Sequence, residues 1–106
     1  MPSRRWPTIY TIVWEYEVRP EQIAAFEALY GADGDWARLF RQADGYVETL
    51  LFRDTDRPMR YLTIDRWLSR AAYDAFVRAS GPAYAALDLR GGALTVSEHR
   101  LGAFDG

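Results

Sequence analysis

The order in which two hydrophobic periodicities follow one another constrains this chain more than any single residue does. From Ile9 to Val18 the even positions Tyr10, Ile12, Trp14, Tyr16 and Val18 are apolar or aromatic, while Thr11, Glu15 and Glu17 take odd positions. Period two predicts a strand. Pro20 suits the first turn of a helix, and Ile23, Phe26, Leu29 and Tyr30 recur at helical spacing until Gly31, which predicts a helix over residues 20–30. Residues 31–35 are turn chemistry, with Asp35 placed to cap a short helix that carries Trp36, Leu39, Phe40 and Ala43 on one side. Gly45 ends it.

Residues 46–53 and 60–67 read as two further strands, and the turn cluster at residues 54–58 between them makes them an antiparallel hairpin. Ser69 is a candidate N-cap for a helix whose Tyr73, Phe76, Val77 and Ser80 share a face. Gly81-Pro82 should break that helix, with a second segment over residues 82–89. After Gly91-Gly92, residues 94–101 supply a last strand, with Leu94 and Val96 on one face and Thr95 and Ser97 on the other. The order is βαββαβ. It predicts an α+β, ferredoxin-like fold of four antiparallel strands with helices on one face. Ile9 and Val13 lie opposite the aromatic series of the first strand, and both parities of the second strand carry apolar residues. Helices cover only one of the two faces, so a second copy of the chain, in a symmetric homodimer, is expected on the other.

With 106 residues, 49% hydrophobic and 15% aromatic, the chain can pack one core and not two. A single domain over residues 1–106 is expected, with residues 1–7 as an N-terminal tail. There is no cysteine, which removes thiolate nucleophiles and Cys-ligated metal, and the one histidine, His99, cannot build a multi-histidine site. No metal is expected. The thirteen basic residues are all arginine and are scattered along a chain of net charge −2, so neither a nucleic-acid footprint nor a polybasic membrane patch is expected. No run resembles a signal peptide or a membrane span, which points to the cytoplasm.

The stretch from Tyr61 through Asp65, Arg66, Trp67 and Ser69 to Ala71, Ala72, Tyr73 and Phe76 resembles the strand-to-helix signature of the antibiotic biosynthesis monooxygenase family. Arg19-Pro20-Glu21, Phe26 and Gly45-Tyr46 match it in order and spacing. The resemblance implies a dimeric α+β barrel whose ligand cleft lies between each sheet and its helices. It also implies a choice of chemistries, because the family includes cofactor-independent quinone-forming oxygenases, quinol monooxygenases, haem-degrading enzymes and proteins without known activity. The haem-degrading branch uses a histidine near the end of the second helix, an asparagine and the strand-three tryptophan. Here Ala79-Ser80-Gly81 stands at that helix end and the chain has no asparagine, so only Trp67 matches and no haem or other cofactor is expected.

Cofactor-independent oxygenation needs an aromatic, water-poor cleft, a base for a hydroxyl proton and donors near the developing anion. Trp67, Asp65 and His99 are the candidate catalytic residues, with Asp65 or His99 as the base, and Trp36, Phe40, Tyr73, Phe76 and Tyr84 are the candidates to bind an aromatic hydroxy compound or quinol beside Trp67. Arg66 falls on the opposite strand face. The same tryptophans and phenylalanines serve equally as core packing, Asp65 as a half-exposed strand acid and His99 as a surface or dimer-contact histidine. Two readings therefore stay open: a cofactor-independent monooxygenase, and a non-catalytic dimeric domain that binds a small apolar ligand or only assembles. Arg53, Arg57 and Arg60 are interleaved with Asp54 and Asp56 and read as a solvated loop. The aspartates around Gly34 lack the length and closing glutamate of a calcium loop.

Overall fold

The computed structural model describes residues 8–106; the N-terminal tail expected at residues 1–7 lies outside the described residues. Strand β1 spans Tyr10–Val18 and is followed by a 3-10 turn, Pro20–Gln22, and by helices α1, Ile23–Tyr30, and α2, Asp35–Phe40. Strands β2, Tyr46–Arg53, and β3, Arg60–Trp67, form the hairpin; helix α3, Arg70–Gly92, and strand β4, Thr95–Asp105, complete the chain. The sheet order is β2-β3-β1-β4 and every pairing is antiparallel, which is the ferredoxin-like arrangement.

Local chemistry explains most of the boundaries. Pro20 has no amide hydrogen to lose at a helix start, and the first predicted turn of residues 20–30 closes as 3-10 rather than α. Ser69 caps α3 by accepting a hydrogen bond from the Ala72 amide at 3.0 Å. Asp35 does not cap α2: Gly34 holds the cap position, and the Asp35 carboxylate instead pairs with Arg38 and, at 2.9 Å, with Arg90 at the far end of α3. The break predicted at Gly81-Pro82 is a kink inside α3, with Gly81 at φ 36°, a conformation that suits glycine, and Pro82 unable to donate back along the helix.

Strand β4 runs four residues beyond its predicted end because Tyr10, Thr11, Ile12 and Val13 still have unpaired edges to offer Asp105, Phe104, Ala103 and Gly102. Register shifts on either side of Trp14–Glu17 change the parity of this strand. As a result Thr95 and Glu98 pair with Val18 and Tyr16 on the helix-covered face, while Ser97 and His99 pair with Glu17 and Glu15 on the other.

Helices α1, α2 and α3 cover the face formed by the even residues of β1 and the odd residues of β3. Ile12, Val18, Phe26, Leu29, Tyr61 and Trp67 are its fully buried side chains. A Tyr61 hydroxyl bond to the Glu27 carboxylate ties α1 to β3. The opposite face carries an uncovered band in which Val13, Ile64 and Leu50 stand in register, followed by Leu62 and Phe52, the last 49% exposed. Charged pairs flank the band: Arg66 with Glu48 at 2.7 Å, and Arg60 with Glu15 and Asp54.

Candidate functional site

Between the sheet and the helices lies a cleft whose floor is Ile12, Trp14 and Tyr16 of β1, Thr63 and Asp65 of β3 and Thr49 of β2. Its walls are Tyr30 of α1, Trp36 and Phe40 of α2 and Tyr73 and Tyr84 of α3, with Asp88 and Glu98 completing it. The space amounts to about 620 Å³ counted out to its open mouth, but water-sized centres fit in only about 70 Å³ of it. It is a narrow aromatic slot.

The polar groups on its floor form a short chain. The Tyr46 hydroxyl donates to Thr49 Oγ1 at 2.8 Å, and Thr49 Oγ1 donates to Asp65 Oδ1 at 2.8 Å. Thr49 and Asp65 are cross-strand partners, so the sheet register itself sets this contact. Asp65 opens to solvent only through the cleft, and burial raises its carboxyl from the ordinary 3.8 to about 6, against a smaller lowering effect of the Thr49 hydrogen bond. Burial drives the hydroxyls of Tyr16, Tyr30 and Tyr73 well above the ordinary tyrosine range, and that of Tyr84 upward too. At neutral pH those hydroxyls stay protonated, while Asp65 is the group on the cleft floor that changes charge near neutrality. Two further polar atoms are buried without a hydrogen-bond partner and belong to cleft residues: Trp36 Nε1 and Thr63 Oγ1.

Of the residues expected from the sequence, Asp65, Trp36, Phe40, Tyr73 and Tyr84 meet in this cleft. Trp67 and Phe76 do not line it. Trp67 is 0% exposed, with its ring centre 5.2–5.5 Å from those of Phe40, Tyr46, Tyr73 and Phe76, so it buttresses the cleft wall from behind. His99 stands exposed on the outer sheet face, beside Glu15, Glu17, Arg57 and Arg60, and does not converge with Asp65. The sequence reading missed Thr49, Thr63, Trp14, Tyr16, Tyr30, Asp88 and Glu98. Strand parity held the signal for three of these, since Trp14 and Tyr16 share a face with Ile12 and Thr63 with Asp65. Where α3 bends, Ser80 Oγ donates to the Phe76 carbonyl at 2.7 Å, and Ala79, Ser80 and Gly81 supply no imidazole, so this bend does not fit haem ligation. Among the described residues no three His, Cys, Asp or Glu side chains gather as a metal site, and no helix is long and apolar enough to cross a membrane.

The sequence model of the family described as antibiotic biosynthesis monooxygenase matches residues 9–86. The chain belongs to that family. Its fold agrees with those of solved members and relatives. SnoaB, a cofactor-independent oxygenase from Streptomyces nogalater, in a single-substitution variant, superposes with a TM-score of 0.72 at 23% identity over 91% of this chain and 90% of that one. A structure described as an antibiotic biosynthesis monooxygenase gives 0.66 at 20% identity, over 92% and 97%. A protein from Shewanella oneidensis gives 0.69 at 17% identity, over 95% and 93%. No curated protein sequence matches the chain. At these identities the structural likeness establishes the fold, and the chemistry has to be argued from the cleft.

Proposed function

We propose that this member of the family is a cofactor-independent monooxygenase that oxidises an aromatic hydroxy compound or quinol in the cleft above Asp65. The observation that carries the reading is the Asp65 carboxylate. It sits in an aromatic slot, held by Thr49, with its proton affinity raised toward neutrality. A base poised there is deprotonated at pH 7 and still accepts a proton readily.

For a hydroxylated substrate with an activated ring CH₂, the steps balance as follows. Asp65 takes one proton, leaving a carbanion delocalised into the hydroxy-aromatic ring. The carbanion reduces and combines with O₂, and the resulting peroxide anion recovers the proton from Asp65. Asp65 then takes the second C–H proton while the O–O bond breaks. The ketone keeps one oxygen atom, and the departing hydroxide leaves as water with that proton. Trp36 Nε1, beside the Tyr30 hydroxyl, and Thr63 Oγ1, beside that of Tyr16, are buried donors of cleft residues that would have to turn toward the developing oxyanion to serve it. With a quinol, Asp65 takes the O–H proton instead, O₂ adds at a ring C–H carbon, and loss of that C–H proton as the O–O bond breaks gives the hydroxylated quinone and water.

The uncovered apolar band of Val13, Leu50, Phe52, Leu62 and Ile64 supports a homodimer in which two sheets face one another. Analytical ultracentrifugation checks it, since a monomer at micromolar concentration would contradict the reading.

Oxygen uptake with a panel of anthrones and quinols tests the chemistry. At least one substrate is expected to be turned over, and Asp65→Asn to lower that rate at least a hundredfold. Equal rates in the two proteins would overturn the assignment of Asp65. The narrowness of the slot favours a second reading, a non-catalytic dimeric domain that binds a small apolar ligand or only assembles. Absence of oxygen uptake across the whole panel would favour that domain.

A further inference from the structure

No arginine among the described residues lines this cleft. Arg100 stands opposite Trp14 on β4, and its charge acts on Tyr73 of the cleft wall. Arg90 pairs with Asp35 at 2.9 Å, and Arg100 turns its guanidinium to the Tyr10 hydroxyl at 3.3 Å. Three carboxylates, by contrast, line the cleft: Asp65 on its floor, and Asp88 of α3 and Glu98 of β4, both exposed, at its mouth. Asp88 and Glu98 both line the same cleft, and burial, with a smaller contribution from the Asp88 charge, raises the Glu98 carboxyl above its ordinary range. Inside, the walls are aromatic faces: Trp14, Tyr16, Trp36 and Tyr84. Thr63 is 2% exposed and its hydroxyl, without a partner, belongs to the same cavity.

Resting on the reading of the cleft as a substrate site, we propose that its ligand is an aromatic amine: a hydroxylated ring bound between Thr63 and Asp65, carrying a protonated amino group held between Asp88 and Glu98. Three chemical facts support this class. Two carboxylates that repel one another are relieved by a cation between them, and the relief is larger at a partly desolvated mouth than in open water. An ammonium group beside tryptophan and tyrosine faces gains cation–π attraction. A phenolic hydroxyl completes the hydrogen bonding of Thr63 Oγ1. An anionic ligand of the same shape meets three like charges and no arginine among the described residues that line the cleft.

Three probes that share the 4-hydroxyphenyl ring and differ in the charge of the side chain compare the classes: tyramine as the cation, 4-ethylphenol as the neutral form and 3-(4-hydroxyphenyl)propanoate as the anion. Binding is read by titration calorimetry and by quenching of tryptophan fluorescence at pH 7, without oxygen uptake, so the result stands apart from whether the protein is an oxygenase. Tyramine is expected to bind at least tenfold more tightly than 4-ethylphenol at low ionic strength, and the propanoate most weakly. The advantage should shrink at 0.5 M salt and disappear in the Asp88→Asn/Glu98→Gln double variant, both sites being exposed positions that leave the core intact. Equal affinity for tyramine and 4-ethylphenol, an advantage that survives in the double variant, or no saturable binding of tyramine up to millimolar concentration would each overturn the proposal.

Discussion

Thr49 and Asp65 face each other across the β2–β3 ladder with 2.8 Å between hydroxyl and carboxylate, and that contact partly offsets the rise that burial gives the Asp65 carboxyl. Because Asp65 must be deprotonated to act as a base, turnover is expected to rise with pH through about 6 and to level off above it. Thr49→Val removes the hydrogen bond that favours the charged carboxylate, so the midpoint moves to higher pH. Initial rates of oxygen uptake from pH 5 to 9 for both proteins check the direction of the shift.

The same carboxylate costs stability. Its folded value of about 6 exceeds the ordinary 3.8, so the folded protein binds more protons than the unfolded chain between those limits. The stabilisation is present in full below about pH 4 and is lost as pH rises through 6, a change of at most about 3 kcal/mol. Asp65→Asn keeps an oxygen for Thr49 to bond and removes the titration. The variant is expected to be more stable than the parent at pH 8 and to lose that advantage at pH 4, as urea unfolding at the two pH values would register. A variant that gains stability while losing turnover separates the catalytic role of Asp65 from a structural one.

Gly91 and Gly92 are neighbours with opposite expectations. A methyl group on Gly91 would come within 2.1 Å of the Tyr30 hydroxyl, and Tyr30 cannot retreat because its ring stacks on Phe26 at 4.4 Å. Overpacking of this kind costs about 1–3 kcal/mol, more than the helix-propensity gain of up to about 1 kcal/mol. Gly91→Ala is therefore expected to lower the unfolding midpoint and, by displacing Tyr30, to weaken ligand binding. A methyl group on Gly92 meets nothing within 4 Å, so Gly92→Ala is expected to be neutral or to gain a few tenths of a kcal/mol. Thermal denaturation of the pair gives the comparison.

Trp67 lies behind the wall of the cleft rather than in it, which makes its expected behaviour that of a packing residue. Trp67→Ala should cost about 3–5 kcal/mol and leave little folded protein. Trp67→Phe keeps an aromatic ring against Phe40 and Phe76 and should retain turnover within a few-fold once its stability loss is allowed for. A loss of turnover beyond a hundredfold in a well-folded Trp67→Phe protein would restore it as a catalytic group.

The behaviour of Trp67 shows what strand periodicity conveys. Parity places Trp67, Asp65 and Thr63 on one face, and the helix-covered side of the sheet was legible from Tyr10, Ile12, Tyr16 and Val18 in the same way. Parity carries no depth, however. Which residue of a face reaches a cavity depends on how large side chains from three helices fill the space above it, and here they fill it over Trp67 and leave it open over Asp65. His99 and Glu98 failed for another reason: the irregular pairing of β4 reassigns its faces, and the shift at Val96, unlike the one beside Gly102, has no glycine or proline to mark it. The helix break at Gly81-Pro82 was legible because those two residues restrict the backbone itself, whatever surrounds them.

That break divides the labour of α3. Its first half, with Phe76 wedged against Trp67, is fixed to the sheet, while its second half carries Tyr84 and Asp88 along the opening. A proline amide offers no hydrogen bond across the joint, so the second half is held by Tyr84 against Trp36, by Gly91 against Tyr30 and by Arg90 paired with Asp35. Widening the slot to admit a ring then means bending about one glycine, slackening one exposed ion pair and lifting Tyr84 from the edge of Trp36.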